Sequence, residues 1–123
     1  MLATVKVVSR AEYDAYIKEG PKMPDGMTPA MWGEKLFTQN GCSVCHARDG
    51  VTNSQCPNLK GIWGRDETMT TNLHVHVDEN YVKESIRQPQ AKIVMGYTSV
   101  IMPTFSLTDR QVDAIIAYFK TLK

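Results

Sequence analysis

The 123-residue chain has almost no net charge, with 14 basic residues against 13 acidic ones leaving +1 at neutral pH. A balance this close, with an isoelectric point near 7.7, argues against nucleic acid or an anionic membrane surface as a partner. No run of about 18 apolar residues occurs, so no segment is expected to cross a bilayer. The first ten residues, Met1 to Arg10, lack the apolar stretch of a secretory signal peptide. Cysteine and histidine are scarce, three of each, and only one closely spaced cysteine pair exists. A zinc cage built from two spaced ligand doublets is therefore disfavoured. The hydrophobic content of 42% is ordinary for a globular fold, and the length suits one domain of about 100 residues plus a short extra piece.

Half of these six scarce residues fall together, in Cys42-Ser43-Val44-Cys45-His46. C-x-x-C-H is the spacing that attaches a c-type haem: two thiols add across the vinyl groups, and the following histidine reaches the iron on the same face. A thioredoxin-like redox pair shares C-x-x-C but wants a preceding strand, whereas the segment before Cys42 reads as a helix. Zinc would need Cys42, Cys45, Cys56 and one of His46, His74 or His76. Haem is the favoured reading. It also suits a short chain, whose small core is marginal until a large apolar ring gives it something to wrap. Haem attachment to thiols takes place outside the cytoplasm in bacteria, so the chain is expected to be a piece of a longer exported protein or a form with its leader removed. Cys56 is an odd cysteine, a buried small hydrophobe or a reactive thiol; the turn Pro57-Asn58-Leu59 directly after it favours burial.

An iron that cycles electrons needs a second axial ligand, and one that binds gas or peroxide keeps that position open. The candidates are Met69, Met95, Met102, His74 and His76. Met102 is favoured because Pro103 stiffens its loop just ahead of the last helix. Met95 reads otherwise as a flexible gap filler, and the two histidines as a solvated edge.

Two unequal parts are expected. In residues 1–27, Val5, Val7 and Val8 suggest a short strand. Ser9-Arg10-Ala11-Glu12 is a capping-box start for a helix carrying Tyr13, Tyr16 and Ile17, which stops at Gly20-Pro21 before a Pro- and Gly-dense linker. In residues 28–123, Thr28-Pro29 opens a helix that runs to about Asn40 and delivers the C-x-x-C-H motif. Gly33 and Phe37, one turn apart on it, invite a close helix partner. The nominee is the last helix, opened by the capping box Thr108-Asp109-Arg110-Gln111 and carrying Val112, Ile115, Ile116 and Phe119 at helical spacing. A third helix starts near Asp78 and closes at Pro89, and Leu73 to Val77 alternates like a short strand or extended strap, with both histidines on one side.

Cys42 to His46, Pro57 to Arg65, Gln88-Pro89, Ile101-Met102-Pro103 and Ile115 to Phe119 resemble, in that order, the signature of class I, mitochondrial-type cytochromes c. The resemblance covers Thr28 to Lys123 and implies an all-α fold in which the first and last helices cross where Gly33 and Phe37 meet Ile115 and Tyr118. It implies one covalent haem c on Cys42 and Cys45, with His46 and Met102 as axial ligands. The Pro57 carbonyl would accept the free ring N–H of His46, Arg65 would sit near a haem propionate, and Trp63 would close a haem edge or simply pack. Val5 to Tyr16 is similar to the final strand and helix of a copper-binding cupredoxin domain. The whole chain is thus similar to the C-terminal cytochrome extension of subunit II in caa3-type oxidases, with residues 1–27 the end of the preceding domain. That family implies a periplasmic or outer-face location, membrane association only through the parent complex, and no enzyme activity for this domain alone. It also implies an electron received from a soluble cytochrome, iron–sulfur or copper protein and passed to a dinuclear copper centre in the same subunit. Met1 falls near that centre's last methionine ligand but is equally an initiator. Two alternatives stand beside this: a free-standing cytochrome c shuttle, and a haem enzyme or gas sensor with an open sixth position.

Overall fold

Two crossing helices carry the architecture of the computed structural model, which describes residues 5–51 and 56–123. Helix α1 spans Arg10–Glu19, α2 spans Pro29–Gln39, and a single turn, α3, spans Cys42–Cys45. Strands β1 (Asp66–Thr68) and β2 (His74–His76) precede α4 (Glu79–Arg87) and the last helix α5 (Asp109–Phe119).

Each longer helix begins at a side chain suited to satisfy its first free N–H groups. Thr28 accepts from the Met31 N–H with Pro29 in the first turn, and Asp78 accepts from the Tyr81 N–H. Ser9 with Glu12 and Thr108 with Gln111 form complete capping boxes. Helices α2 and α5 then pack as the sequence suggests. Phe37 stacks at 5.8 Å against both Tyr118 and Phe119, and Phe37, Val112 and Ile115 are almost wholly buried. The approach depends on Gly33: a methyl group there would lie 1.9 Å from the Ala114 carbonyl oxygen and 2.9 Å from the Tyr118 Cβ. Salt bridges of Lys83 to Asp113 (2.9 Å) and Arg87 to Asp109 (2.5 Å) dock α4 onto α5.

The all-α expectation needs correcting, because β1 and β2 form an antiparallel hairpin with Asp66 opposite His76, Glu67 opposite Val75 and Thr68 opposite His74. Asp66-Glu67-Thr68 has no apolar alternation, so its pairing is set from outside itself. The Val77 N–H bonds to the Arg65 carbonyl and the Gly64 N–H to the Val77 carbonyl, extending the ladder. Across its other edge, the Met95 N–H bonds to the Thr68 carbonyl. The strand expected at Val5, Val7 and Val8 is absent. These residues are exposed and outside any element, and a strand needs a neighbour to satisfy its backbone. Residues 1–4 lie outside the described residues. No helix among the described residues is long and apolar enough to cross a membrane.

Candidate haem site

Helix α2 ends at Asn40, and Gly41, with φ +72°, turns the chain so that α3 starts at once. His46 follows as its C-cap, its N–H bonded to the Cys42 carbonyl at 2.9 Å. The Leu59 N–H bonds to the Ala47 carbonyl, holding the loop 56–59 against the motif. That contact places the Pro57 carbonyl 2.8 Å from His46 Nδ1. A carbonyl only accepts, so Nδ1 carries the proton and Nε2 is the ring nitrogen left for a metal. Burial pushes the imidazole below its ordinary pKa, opposed in smaller part by the Pro57 bond, and keeps it in the neutral, ligating form.

Beyond the motif lies a cavity that is partly open to solvent. Its inner wall is apolar, with Phe37, Leu59, Ile115 and Phe119 among the lining residues, and both His46 and Met102 border it. Of the five candidates for a second axial ligand, Met102 alone lines this space. Met69 is 1% exposed in the core, Met95 is 49% exposed, and His74 and His76 stand exposed on β2. The Gln90 amide reaches the Met102 carbonyl at 3.5 Å, a long contact beside the same cavity.

The cysteines differ. Cys42 is half-buried on the cavity wall, where burial pushes its thiol up, and Cys45 is exposed. Cys56 borders the cavity, half-buried, and its thiol is raised by burial and by the neighbouring Cys45, with which it hydrogen-bonds. It is neither the sealed hydrophobe nor the open thiol of the two sequence alternatives.

Arg65 and Trp63 do not line the cavity. Arg65 Nε instead donates to Glu67 Oε1 at 2.7 Å, and it is Glu67 that faces the space. Trp63 packs against the core from outside, under the Lys120 ammonium 4.5 Å from its ring centre. Both residues sit on the turn that leads from Ile62 into the hairpin, and Trp63 takes the second of its two expected roles, packing. Among the lining residues, Tyr81 has its phenol raised by burial first and then by the nearby carboxylates of Glu67 and Glu84.

One supporting residue escaped the sequence reading. Arg48 donates to the Tyr118 hydroxyl at 2.6 Å and lies 5.4 Å from the centre of the Phe37 ring. It ties the motif loop to the α2–α5 crossing. A cation two residues after the motif histidine was the available signal, but its aromatic partners become neighbours only once the helices cross.

Cys42, a neutral imidazole and a thioether bordering an apolar cavity, with Cys45 exposed one turn of α3 beyond Cys42 and not itself on the cavity wall, fit a covalently held haem, a molecule with a large apolar face and a metal needing nitrogen and sulfur ligands. Comparison with known proteins agrees. The family model described as cytochrome c matches residues 30–123. A cytochrome c from Gossypium barbadense is 32% identical over 98 residues, covering 72% of this chain and 85% of that protein. A cytochrome c from Sesamum indicum matches with the same identity and coverage. The chain belongs to the cytochrome c family. As members of that family do, it carries a single covalently attached haem c and transfers electrons.

Proposed function

We propose that this chain is the electron-input domain of a haem-copper terminal oxidase, the cytochrome extension of a caa3-type subunit II. Residues 28–123 accept one electron from a soluble cytochrome, iron–sulfur or copper protein and pass it to the dinuclear copper centre of the same subunit. Residues 1–27 are the end of the cupredoxin domain that holds that centre. The domain works at the outer face of the cytoplasmic membrane, reaches the membrane through the parent complex, and is not an enzyme by itself.

The observation that carries the electron-transfer site is the sharing of one apolar cavity by His46 and Met102, while the rival methionines and histidines face elsewhere. Cys42 and Cys45 would hold the haem by thioether bonds, and His46 and Met102 would ligate its iron. When bound, the haem would supply a one-electron couple. Pro57 fixes the orientation of the His46 ring, so that Nε2 is the nitrogen left to ligate. Phe37, Leu59, Ile115 and Phe119 keep water from the inner face. The oxidase assignment is supported by an N-terminal arm that buries none of its helix residues and by the likeness of Val5 to Tyr16 to a cupredoxin end.

Substituting Met102 tests the site. Met102→Ala is expected to lower the reduction potential and admit carbon monoxide to the reduced protein, while Met95→Ala leaves both unchanged. Rapid carbon monoxide binding by the unaltered reduced protein, or a Met102→Ala variant with the parent's potential, rejects the assignment. For the oxidase reading, the decisive observation is the reading frame upstream of Met1. Cupredoxin copper ligands there support it, and an upstream sequence without them leaves a free-standing shuttle.

A further inference from the structure

The β1–β2 hairpin creates an arrangement the electron-transfer site does not use. Residues two apart on a strand share a face, so His74 and His76 stand side by side, both exposed. Each imidazole is steadied by the residue directly opposite it in the ladder. His76 Nδ1 lies 2.7 Å from Asp66 Oδ1, and His74 Nδ1 lies 3.1 Å from Thr68 Oγ1. The carboxylate of Asp66 can only accept, so Nδ1 of His76 carries the proton and its Nε2 presents a lone pair. The Thr68 hydroxyl accepts from His74 in the same way when Nε2 is needed. Metal-binding histidines characteristically have the second ring nitrogen held by a carboxylate, hydroxyl or carbonyl, which fixes the tautomer and the ring orientation. Both rings border one surface groove, which Asp78 and Glu84 also line. Those two acids are engaged, Asp78 with the Tyr81 N–H and Glu84 with Lys92, so they lend the groove negative potential without acting as ligands.

We propose that His74 and His76 form an exposed two-imidazole site for a divalent transition-metal ion, copper(II) or zinc(II), separate from the haem. Asp66 and Thr68 are its positioning residues. Among the described residues no three His, Cys, Asp or Glu side chains converge as a cage, so water completes the coordination and the ion exchanges with solvent. Imidazole ligands select copper and zinc over magnesium and calcium, and copper over zinc.

The test is copper(II) chloride titrated into the haem-loaded chain, followed by calorimetry and by the nitrogen hyperfine structure of the copper EPR signal. One copper bound by two imidazole nitrogens is expected, with zinc weaker and magnesium silent. His74→Ala and His76→Ala should each weaken copper binding at least tenfold, and the double variant should abolish it. Asp66→Asn keeps both ligands but loses the carboxylate, and is expected to cost roughly tenfold. The visible haem spectrum should stay that of the parent in every variant, showing that the loss is local. A double variant that binds copper as tightly as the parent, or a signal from a single imidazole, overturns the proposal.

Discussion

Helices α1 and α5 open with the same local device and meet opposite fates. In α1, Ser9 Oγ accepts the Glu12 N–H and Glu12 Oε2 accepts the Ser9 N–H at 2.9 Å. In α5, Thr108 Oγ1 accepts the Gln111 N–H and Gln111 Oε1 accepts the Thr108 N–H, also at 2.9 Å. Yet α5 buries seven residues of its 11, and α1 buries none. Tyr13, Tyr16 and Ile17 are each at least half exposed. The cap tells where a helix begins, while the side chains along its face tell whether it packs. Val112, Ile115, Ile116 and Phe119 form a continuous apolar stripe. The three large apolar residues of α1, Tyr13, Tyr16 and Ile17, are outnumbered by its five charged ones, and its contacts with the body gather at its C-terminal end. There Glu19 pairs with Arg110 at 3.2 Å, and a side chain on Gly20 would meet the Thr108 methyl at 2.4 Å.

The largest effect should come from closing the gap at the α2–α5 crossing. Alanine is the better helix former by about 1 kcal/mol, so propensity alone predicts that Gly33→Ala stabilises. The 1.9 Å approach to the Ala114 carbonyl reverses that sign, because backbone cannot yield as a flexible side chain can. A loss of about 3 kcal/mol is expected from guanidinium unfolding of the haem-loaded chain. Tyr16→Ala on the exposed face of α1 should stay within about 0.5 kcal/mol in the same assay. Equal stabilities for the two variants would remove the distinction between packed and unpacked helix.

The same contrast explains what could be read from the residues alone. Ser9, Thr28, Asp78 and Thr108 announced their helices because capping is local chemistry. Gly33 with Phe37 announced the crossing because a gap beside a ring has few other uses. The pairing of His46 with Pro57 came from resemblance, and the geometry contains it. The stretch Leu73 to Val77 reads as a short strand or extended strap and contains β2, but its partner stayed hidden because Asp66-Glu67-Thr68 is polar on both faces and its register is fixed only across the ladder. Trp63 takes the packing role of its two readings, and the ion pair of Arg65 with Glu67 follows from a turn the local sequence does not advertise. Glu67, which does line the cavity, was not among the residues the sequence singled out. Val5 to Val8 have the β-branched composition of a strand, but composition cannot supply the neighbour that a strand must bond.

Removing the two hydroxyl caps sharpens the comparison at a smaller scale. Thr108→Ala leaves an unmet N–H at the start of the helix that holds the core, and is expected to cost about 1 kcal/mol of global stability. Ser9→Ala breaks the equivalent bond in α1, where nothing else depends on it. Its effect should appear as lost helical signal in far-ultraviolet circular dichroism, with the unfolding midpoint of the haem-loaded body unmoved. A midpoint that falls equally in both variants would mean that α1 is coupled to the core after all.

Acidification gives the finest distinction, since one box closes with a carboxylate and the other with an amide. The backbone N–H of Ser9, and then its hydroxyl, hold the Glu12 carboxyl below its ordinary value of 4.5. A carboxyl whose folded pKa is depressed stabilises the helix fully above the unfolded value and loses that contribution as pH falls through the folded one. The first turn of α1 should therefore fray as the pH drops below 4.5, read as faster amide exchange at Arg10 to Asp14. Gln111 does not titrate, so the first turn of α5 should keep its protection through the same interval. Glu12→Gln copies the box of α5 into α1 and should remove this pH dependence. If the fraying persists in that variant, Glu12 is not its cause and the two boxes are equivalent.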